Sequence, residues 1–363
     1  MPEAVIVSVA RSPIGRANKG SLKDFRPDDL TAFIVKTALD KIPALDRKTV
    51  DDLYLGCGLP GGEMGNNMGR IVNVLNDMDE VPGATITRYC ASSVQTTRMA
   101  FHAIKAGEGD IFISAGVETV SRFAKGTSDH IPGTRNEVFT DAEARTAKLA
   151  EGGRDWHDPR EDGSLPDAYI AMGQTAENVA RMRGLDCKEL DEFAVRSQNL
   201  AEKAINDGFW AREITPVTTP DGTVVSADDG PRAGVTYDAL AGLQPVFRPD
   251  GVVTAGNCCA LNDGAAAVVI MSDTKAAELG LKPAGPHRVH RRLRPLPRDH
   301  GPRPGRGDQA CARQRQHEHR RHRPVEINEA FAARSSRPTG TSASTRTAST
   351  STVAPSPSAT RSA

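Results

Sequence analysis

Short runs of apolar, β-branched residues constrain the fold of this chain most strongly. They are residues 4–10 (AVIVSVA) and 111–117 (IFISAGV), and residues 53–57 form a weaker run of the same kind. Continuous runs of this length are typical of strands that are covered on both faces. Helical patterns over 27–40 and 91–105 lie between them, and such alternation predicts a largely parallel sheet with helices packed on it. The sequence therefore predicts an α/β fold.

The pattern changes after residue 121. Polar loops and amphipathic helices prevail from 122 to about 250, with one helix predicted over 185–207, and we interpret this region as an insertion that covers the first sheet. Residues 252–271 return to the composition of a buried strand. After residue 285 the chain becomes rich in Arg, His and Pro, and residues 339–363 form a Ser/Thr/Ala/Pro tract that cannot bury enough apolar surface to fold alone.

Composition disfavours several functional classes. The 46 basic and 46 acidic residues cancel, so no global field directs the chain to nucleic acid or to a membrane surface. The six cysteines show no CxxC or Cys/His ligand spacing, so we expect neither a disulfide framework nor a metal site. No apolar segment reaches membrane-spanning length and the N-terminus does not resemble a signal peptide, so we expect a cytoplasmic protein. A basic-tail nucleic-acid binder stays an alternative, because six of the nine histidines fall within 286–323.

Residues 87–95 (TRYCASSVQ) carry the sharpest chemical signal. Cys90 stands directly before a predicted helix that begins with the small residues Ala91, Ser92 and Ser93. A thiolate at a helix N-terminus is stabilised by the helix dipole and by backbone N–H groups, and the small residues leave space for a substrate. A buried structural cysteine is the alternative interpretation.

This segment, TRYCASSVQTT, resembles the nucleophile motif of the thiolase family. Other segments resemble thiolase segments in the same order: VARSPIGR (9–16), AGVETVSR (115–122), MGQTAENVA (172–180), 229–247, 250–269 and VEINEAFAA (325–333). The resemblance covers about residues 1–280 and then the last of these segments. It implies the thiolase fold, a layered αβαβα arrangement of two βαβαβαββ halves with an inserted loop domain.

The resemblance also implies a division of the chain. Residues 1–121 and 251–283 would form the N-terminal half, and 122–250 the loop domain that covers the coenzyme A (CoA) site. Residues 284–324 would be an aberrant Arg/His-rich segment. Residues 325–333 would be a remnant of the C-terminal half, which is incomplete, and 334–363 a low-complexity tail that we expect to be disordered.

The function implied by the resemblance is acyl-CoA C-acyltransfer, in fatty-acid β-oxidation or acetoacetyl-CoA formation. Cys90 would attack a 3-ketoacyl-CoA, release acetyl-CoA and hold the shortened acyl group, which a second CoA removes; condensation is the reverse. Asn328 matches the residue that orients an oxyanion-hole water. CoA is then a substrate, no permanently bound cofactor or metal is expected, and a homodimer or homotetramer is the usual assembly. The residues that match positions along the CoA and pantetheine path are Met172, Arg232, Phe247, Ala255, Cys259, Ala330 and Phe331.

Several features depart from the family pattern. The Gly-His-Pro motif, whose histidine activates the nucleophile, and the Cys-x-Gly motif, whose cysteine moves the substrate proton, do not occur in these 363 residues. We therefore expect little activity from this chain, and a non-catalytic, sterol-carrier-type CoA-binding protein stays an alternative. Cys258-Cys259 stands where Ala/Ser-Ser is usual, which indicates an altered acyl preference. Residues 56–61 (GCGLPG) fit a dinucleotide glycine pattern, but Pro60 disfavours the helix that would receive a pyrophosphate.

Back-translation of the tail indicates shifted reading frames. Residues 316–323 can be written CAA CAT GAG CAT CGA CGA CAT CGA C, which one base later reads Asn-Met-Ser-Ile-Asp-Asp-Ile-Asp, a thiolase-like run. Residues 299–310, shifted in the same way, can yield another thiolase-like run. Residues 353–362 can yield Gly-Ala-Ile-Ala-Val-Gly-His-Pro-Phe-Gly, which contains the absent histidine motif.

We therefore predict small insertions or deletions in the gene near the codons for residue 283, residue 325 and the residues after 333. Resequencing is expected to reveal them and to restore the absent Gly-His-Pro motif in one frame. An uninterrupted single frame, together with an intact mass equal to that of the 363-residue sequence, would refute this prediction.

Overall fold

The computed structural model of the protein describes residues 2–125, 133–153, 156–283 and 328–335. Its strands are β1 (Ala4–Arg11), β2 (Gly15–Arg16), β3 (Asp52–Gly56), β4 (Gly83–Ile86), β5 (Ile111–Thr119), β6 (Val217–Thr218), β7 (Val224–Val225) and β8 (Asn262–Ser272). Its α-helices are α1 (Pro27–Asp40), α2 (Met68–Leu75), α3 (Ser92–Ala106), α4 (Thr140–Ala150), α5 (Met172–Arg183), α6 (Cys187–Asn206), α7 (Phe209–Glu213), α8 (Tyr237–Ala241), α9 (Asp273–Glu278) and α10 (Ala332–Ser335).

The main sheet has the strand order β1-β8-β5-β3-β4, and β2 also pairs with β8. β3 runs parallel to both β4 and β5, whereas β8 runs antiparallel to β1 and β5. β5 is buried along its whole length, as its continuous apolar run predicts. The predicted α/β fold is confirmed, but the prediction of a largely parallel sheet is wrong: the sheet is mixed, because β8 pairs antiparallel with β1, β2 and β5.

Helices cover both faces of this sheet, because alternate strand residues point to opposite sides. On one face, Ile34 and Leu39 of α1 pack with Ile113 of β5 in the larger apolar cluster. On the other face, Ile104 of α3 packs against Phe112. Full burial of each such side chain contributes roughly 1.5–3 kcal/mol, so these two layers fix α3 against the sheet.

The ends of α1 and α3 follow from local signals in the sequence. α1 has Pro27 at its first position and Asp28 and Asp29 in its first turn, where acidic groups favour the helix dipole. α3 ends at Gly107, which adopts the left-handed conformation (φ 78°) of a typical C-terminal cap. The helix predicted over 27–40 is confirmed, and that over 91–105 is shifted by one residue, to Ser92–Ala106.

The strand predicted over 252–271 is wrong in its first part, because β8 begins only at Asn262. The preceding residues form a turn around the buried Asn257. Its side-chain amide donates to Asp191 Oδ1 at 2.9 Å and to the Val252 carbonyl at 3.0 Å, and its oxygen accepts from the Thr254 N–H at 2.9 Å. The apolar residues here are buried by packing on α5 and α6 rather than by strand pairing.

Between β5 and β8 the described chain forms α4 to α8 and the small β6–β7 pair. The helix predicted over 185–207 is α6, which begins after Asp186 because the Asp186 carboxylate accepts from the Glu189 N–H at 2.8 Å. In the part of the chain that the structure describes, no helix combines the length and apolar character that a bilayer crossing requires.

Two glycines let the N-terminus of α3 approach the sheet closely. A Cβ added at Gly56, the last residue of β3, would lie 2.8 Å from the carbonyl carbon of Ser92 and 2.8 Å from the nitrogen of Ser93. A Cβ at Gly116 in β5 would lie 2.0 Å from Ser93 Oγ. The helix therefore begins directly on the ends of two parallel strands.

We predict that Gly56→Ala lowers the free energy of unfolding by about 1–3 kcal/mol, because its new methyl group meets backbone atoms that cannot move aside. Urea denaturation measures this change. Gly242→Ala is the matched control, since nothing lies within 4 Å of a Cβ at that position. Equal stabilities for the two variants would contradict the prediction.

Candidate active site

A recess lies at the edge of the sheet where the parallel strands β3 and β5 end. Ligands of open α/β sheets commonly bind at this edge, outside the carboxyl ends of the strands. The recess is small and is lined by Gly56, Gly58, Tyr89, Cys90, Ser92, Ser93, Val117 and Glu118. The residue types point to a small, polar site at the start of α3.

Cys90 occupies a short 3₁₀ turn, Tyr89–Ala91, that leads into α3. Tyr89 adopts φ 46°, a left-handed conformation that is uncommon for a bulky residue and often marks a functional site. Ser92 holds the turn in place, since its Oγ accepts from the Arg88 N–H at 2.8 Å and donates to the Tyr89 carbonyl at 2.6 Å. The turn presents Cys90 to solvent while Ser92 is buried.

The wall of the recess opposite the turn is fixed by the buried carboxylate of Glu118. This carboxylate accepts from the Gly58 N–H at 2.7 Å, and the Gly58 carbonyl accepts from Thr87 Oγ1 at 2.9 Å. Both backbone groups of Gly58 therefore have side-chain partners. These hydrogen bonds hold the loop after β3 beside the turn that carries Cys90.

A second thiol at this edge of the sheet has a very different environment. Cys57 is fully buried, with Sγ 3.9 Å from Met64 Sδ and 4.0 Å from Glu118 Oε2. Burial, and then the negative charge of Glu118, raise the pKa of the Cys57 thiol far above its usual range. Cys57 therefore stays protonated and covered, whereas Cys90 is accessible.

Five of the residues predicted along the CoA path lie in one cluster. Phe247 and Phe331 have their ring centroids 6.2 Å apart at an interplanar angle of 66°, and Met172, Cys259 and Ala330 pack around them. The Cys259 N–H donates to the Ala330 carbonyl at 2.8 Å. The segment 328–335 is thereby joined to the strand-like residues 258 and 259.

The other predicted residues lie outside this cluster. Arg232 and Ala255 are exposed, and the backbone N–H of Arg232 donates to Gln198 Oε1 at 3.1 Å. Asn328 is exposed at the start of the docked segment. Its neighbour Glu329 accepts from Ser197 Oγ at 2.5 Å, which ties this segment to α6.

Sequence reasoning missed the side chains that hold Phe247. Gln174 Nε2 donates to the Phe247 carbonyl at 2.8 Å, and Gln174 Oε1 accepts from Arg248 Nε at 2.7 Å. Arg248 is buried, and desolvation lowers the pKa of its guanidinium. The only signal for these side chains in the sequence was the position of Gly173-Gln174 directly after the predicted lining residue Met172. The partner of Gln174, however, is 74 residues away in the sequence.

Among the residues that the structure describes, no group of three or more His, Cys, Asp or Glu side chains is placed to share a metal ion. The polar side-chain groups of the recess are instead one thiol, three hydroxyls and one carboxylate. An accessible thiol directly before a helix, in a narrow recess at the strand ends, has the environment in which a cysteine can act as a nucleophile.

Known proteins resemble this chain in sequence over most of its length. Residues 4–274 match the family model described as "Thiolase, N-terminal domain". The chain is 38% identical over 287 residues to a β-ketoadipyl-CoA thiolase of Acinetobacter baylyi, covering 78% of this chain and 69% of the relative. It is 39% identical over 296 residues to a 3-ketoacyl-CoA thiolase of Bacillus subtilis, with the same coverage of 78% and 69%.

A solved structure has the same fold. The crystal structure of the Bacillus anthracis acetyl-CoA acetyltransferase matches with a TM-score of 0.62 and 33% identity, over 78% of this chain and 68% of that chain. The fold and these relatives define the class of the protein, an acyltransferase. The chain belongs to the thiolase family.

We predict that iodoacetamide at pH 8 alkylates Cys90 at least about a hundredfold faster than Cys57, because the reactive thiolate is suppressed by burial and by a raised pKa at Cys57. Peptide mass spectrometry over time measures both rates in one sample. Cys187 is an internal reference, since it is half-buried and the pKa of its thiol is raised to about 11, chiefly by desolvation. Comparable rates at Cys57 and Cys90 would contradict the assignment.

Proposed function

We propose that Cys90 is the nucleophile of a thiolase reaction on 3-ketoacyl-CoA thioesters. The observation that carries the proposal is the exposed Cys90 thiol in the turn before α3, beside the buried Glu118 and the small residues of the recess. The names of the relatives support this substrate class, since they include thiolases of 3-ketoacyl-CoA and β-ketoadipyl-CoA.

The reaction follows from the chemistry of the thiolate. The Cys90 sulfur attacks the 3-keto carbon, and the bond between C2 and C3 breaks. Its electron pair passes to C2, which takes a proton and leaves as acetyl-CoA. The remaining acyl group stays on sulfur until the thiolate of a second CoA attacks it and Cys90 is released. Covalent catalysis divides one carbon–carbon cleavage into two acyl transfers.

The other predicted residues have supporting roles in this proposal. Asn328 orients a water that stabilises the developing oxyanion, a contribution of roughly a hundredfold to a thousandfold in rate. Met172, Phe247, Cys259, Ala330 and Phe331 line the pantetheine path, which their shared cluster supports. Arg232 and Ala255 contact CoA from the exposed surface. The region 122–250 covers the CoA, and the enzyme acts in the cytoplasm as a homodimer or homotetramer.

A second candidate function is non-catalytic CoA binding. It is favoured by one observation, namely that Gly-His-Pro and Cys-x-Gly do not occur in the 363 residues. Loss of a general base alone costs roughly a hundredfold to ten-thousandfold in rate. We therefore propose that this chain forms an acyl-cysteine slowly and turns over little, with the complete activity restored by the frame correction.

We predict that incubation with acetyl-CoA adds the mass of one acetyl group to the peptide that contains Cys90, because the thiol displaces CoA from the thioester. Intact-mass and peptide mass spectrometry measure the modification. Cys90→Ser should abolish it, since a serine hydroxyl without a base is a far weaker nucleophile.

Cys187→Ser is the matched control and should acetylate as the unmodified chain does. Acetylation that persists in Cys90→Ser would contradict the assignment of the nucleophile. CoA binding without any acetylation of Cys90 would instead favour the non-catalytic candidate.

A further inference from the structure

Arg248 is a charged residue that is almost fully buried. Its side chain is 2% exposed, it forms no ion pair with a carboxylate among the described residues, and its Nη1 has no hydrogen-bond partner in that part of the chain. Burial of a guanidinium costs several kcal/mol before its contacts offset it. Because replacement of buried charges by apolar residues is often neutral or stabilising, stability alone gives no reason for this arginine.

The contacts of Arg248 show what it holds. Its Nε donates to Gln174 Oε1 at 2.7 Å, and its Nη2 donates to Asn178 Oδ1 at 2.5 Å and to the Gln174 carbonyl at 3.3 Å. A guanidinium can only donate, so it forces the oxygen of the Gln174 amide to face it. The Gln174 NH₂ group then points to the Phe247 carbonyl, to which it donates at 2.8 Å.

Phe247 is held from its other side by Gly173. A Cβ added at Gly173 would lie 2.2 Å from Phe247 Cε1, so the ring rests directly on the glycine backbone. The same ring contacts Phe331 and packs with the half-buried Cys258 and Cys259. The hydrogen bond from Gln174 therefore fixes the position of the Phe247 carbonyl, and the contact with the Gly173 backbone fixes the position of its ring.

We infer that Gln174 and Arg248 are positioning residues that fix Phe247 as one wall of the acyl-CoA site. The ligand in this inference rests on the proposed function, whereas the positioning of Phe247 does not. Asn178 anchors the far side of Arg248 and makes no contact with the Phe247 carbonyl among the contacts described. Charge neutralisation of Arg248 and positioning of Phe247 can therefore be separated by substitution.

Gln174→Glu and Asn178→Asp both give Arg248 a carboxylate partner, so neither is expected to lower the melting temperature. Only Gln174→Glu removes the donor to the Phe247 carbonyl and places a second oxygen against it. We expect alkylation of Cys258 and Cys259 to become about threefold to tenfold faster in Gln174→Glu. The reason is that loss of roughly one hydrogen bond (about 1 kcal/mol) leaves the Phe247 ring, which packs on these thiols, less firmly held. Asn178→Asp should stay within about twofold of the unmodified chain, with Cys187 as the reference thiol in every sample.

Calorimetric titration with CoA itself provides the second measurement. Gln174→Glu should raise the dissociation constant about fivefold, while Gln244→Glu, the same substitution at an exposed glutamine, should leave it unchanged. If the Gln174→Glu chain does not fold, the alkylation of Cys258 and Cys259 is measured in Gln174→Met instead. The methionine side chain has a similar length and carries no hydrogen-bond donor.

Unchanged labelling in Gln174→Glu, or equal acceleration in Asn178→Asp, overturns the inference. Equal CoA affinity in Gln174→Glu and Gln244→Glu overturns its ligand part. If the unmodified chain binds no CoA, the proposed function fails, and the labelling comparison still decides whether Gln174 and Arg248 position Phe247.

Discussion

The pairing of β8 between β1 and β5 is the constraint on which the described structure depends. β8 returns the chain to the first sheet after the long excursion that contains α4 to α8, and its register with β5 runs from Ile111 opposite Met271 to Thr119 opposite Asp263. The ladder between the two strands extends over the whole length of β5. The start of β8 consequently lies beside the end of β5, next to Glu118 and the recess.

The same sheet determines where α3, the helix that follows Cys90, begins. α3 packs through its apolar face on one side of the sheet, and the absence of side chains at Gly56 and Gly116 lets its first turn meet the strand ends. The backbone must then change direction sharply, and Tyr89 takes the left-handed conformation that this turn requires. Local strain of this kind costs of order 1–3 kcal/mol and persists only where the surroundings determine it. The packing of α3 on the sheet and the hydrogen bonds of Ser92 hold the turn that carries Cys90 in this conformation.

The sequence predicted those parts of the fold whose signals are local. Pro27, Asp28 and Asp29 mark the start of α1, and the fully buried β5 reads as one apolar run. β4 was not predicted, because a partly exposed four-residue strand, GATI, carries little pattern. The apolar residues after 251 were misread as strand because burial by a turn around Asn257 and burial in a sheet select the same composition. Cys90 could be found from its motif, whereas the contact between Gln174 and Arg248 joins distant residues and exists only in the folded chain.

The two candidate parts of the site, the thiol and the aromatic cluster, are joined through Asn257. Its carbonyl accepts from the Ala332 N–H at 3.0 Å, and its side chain is bound to Asp191, so the turn receives the segment 328–335 on one side and α6 on the other. If the turn moved, the buried Asn257 would lose these hydrogen bonds, so the bonds hold the turn in place. Only a few residues separate this turn from β8, whose first residues pair beside Glu118. The wall formed by Phe247 and Phe331 and the recess of Cys90 are therefore connected by one polar turn and one strand register, which is the relation that the proposed acyl-CoA site requires.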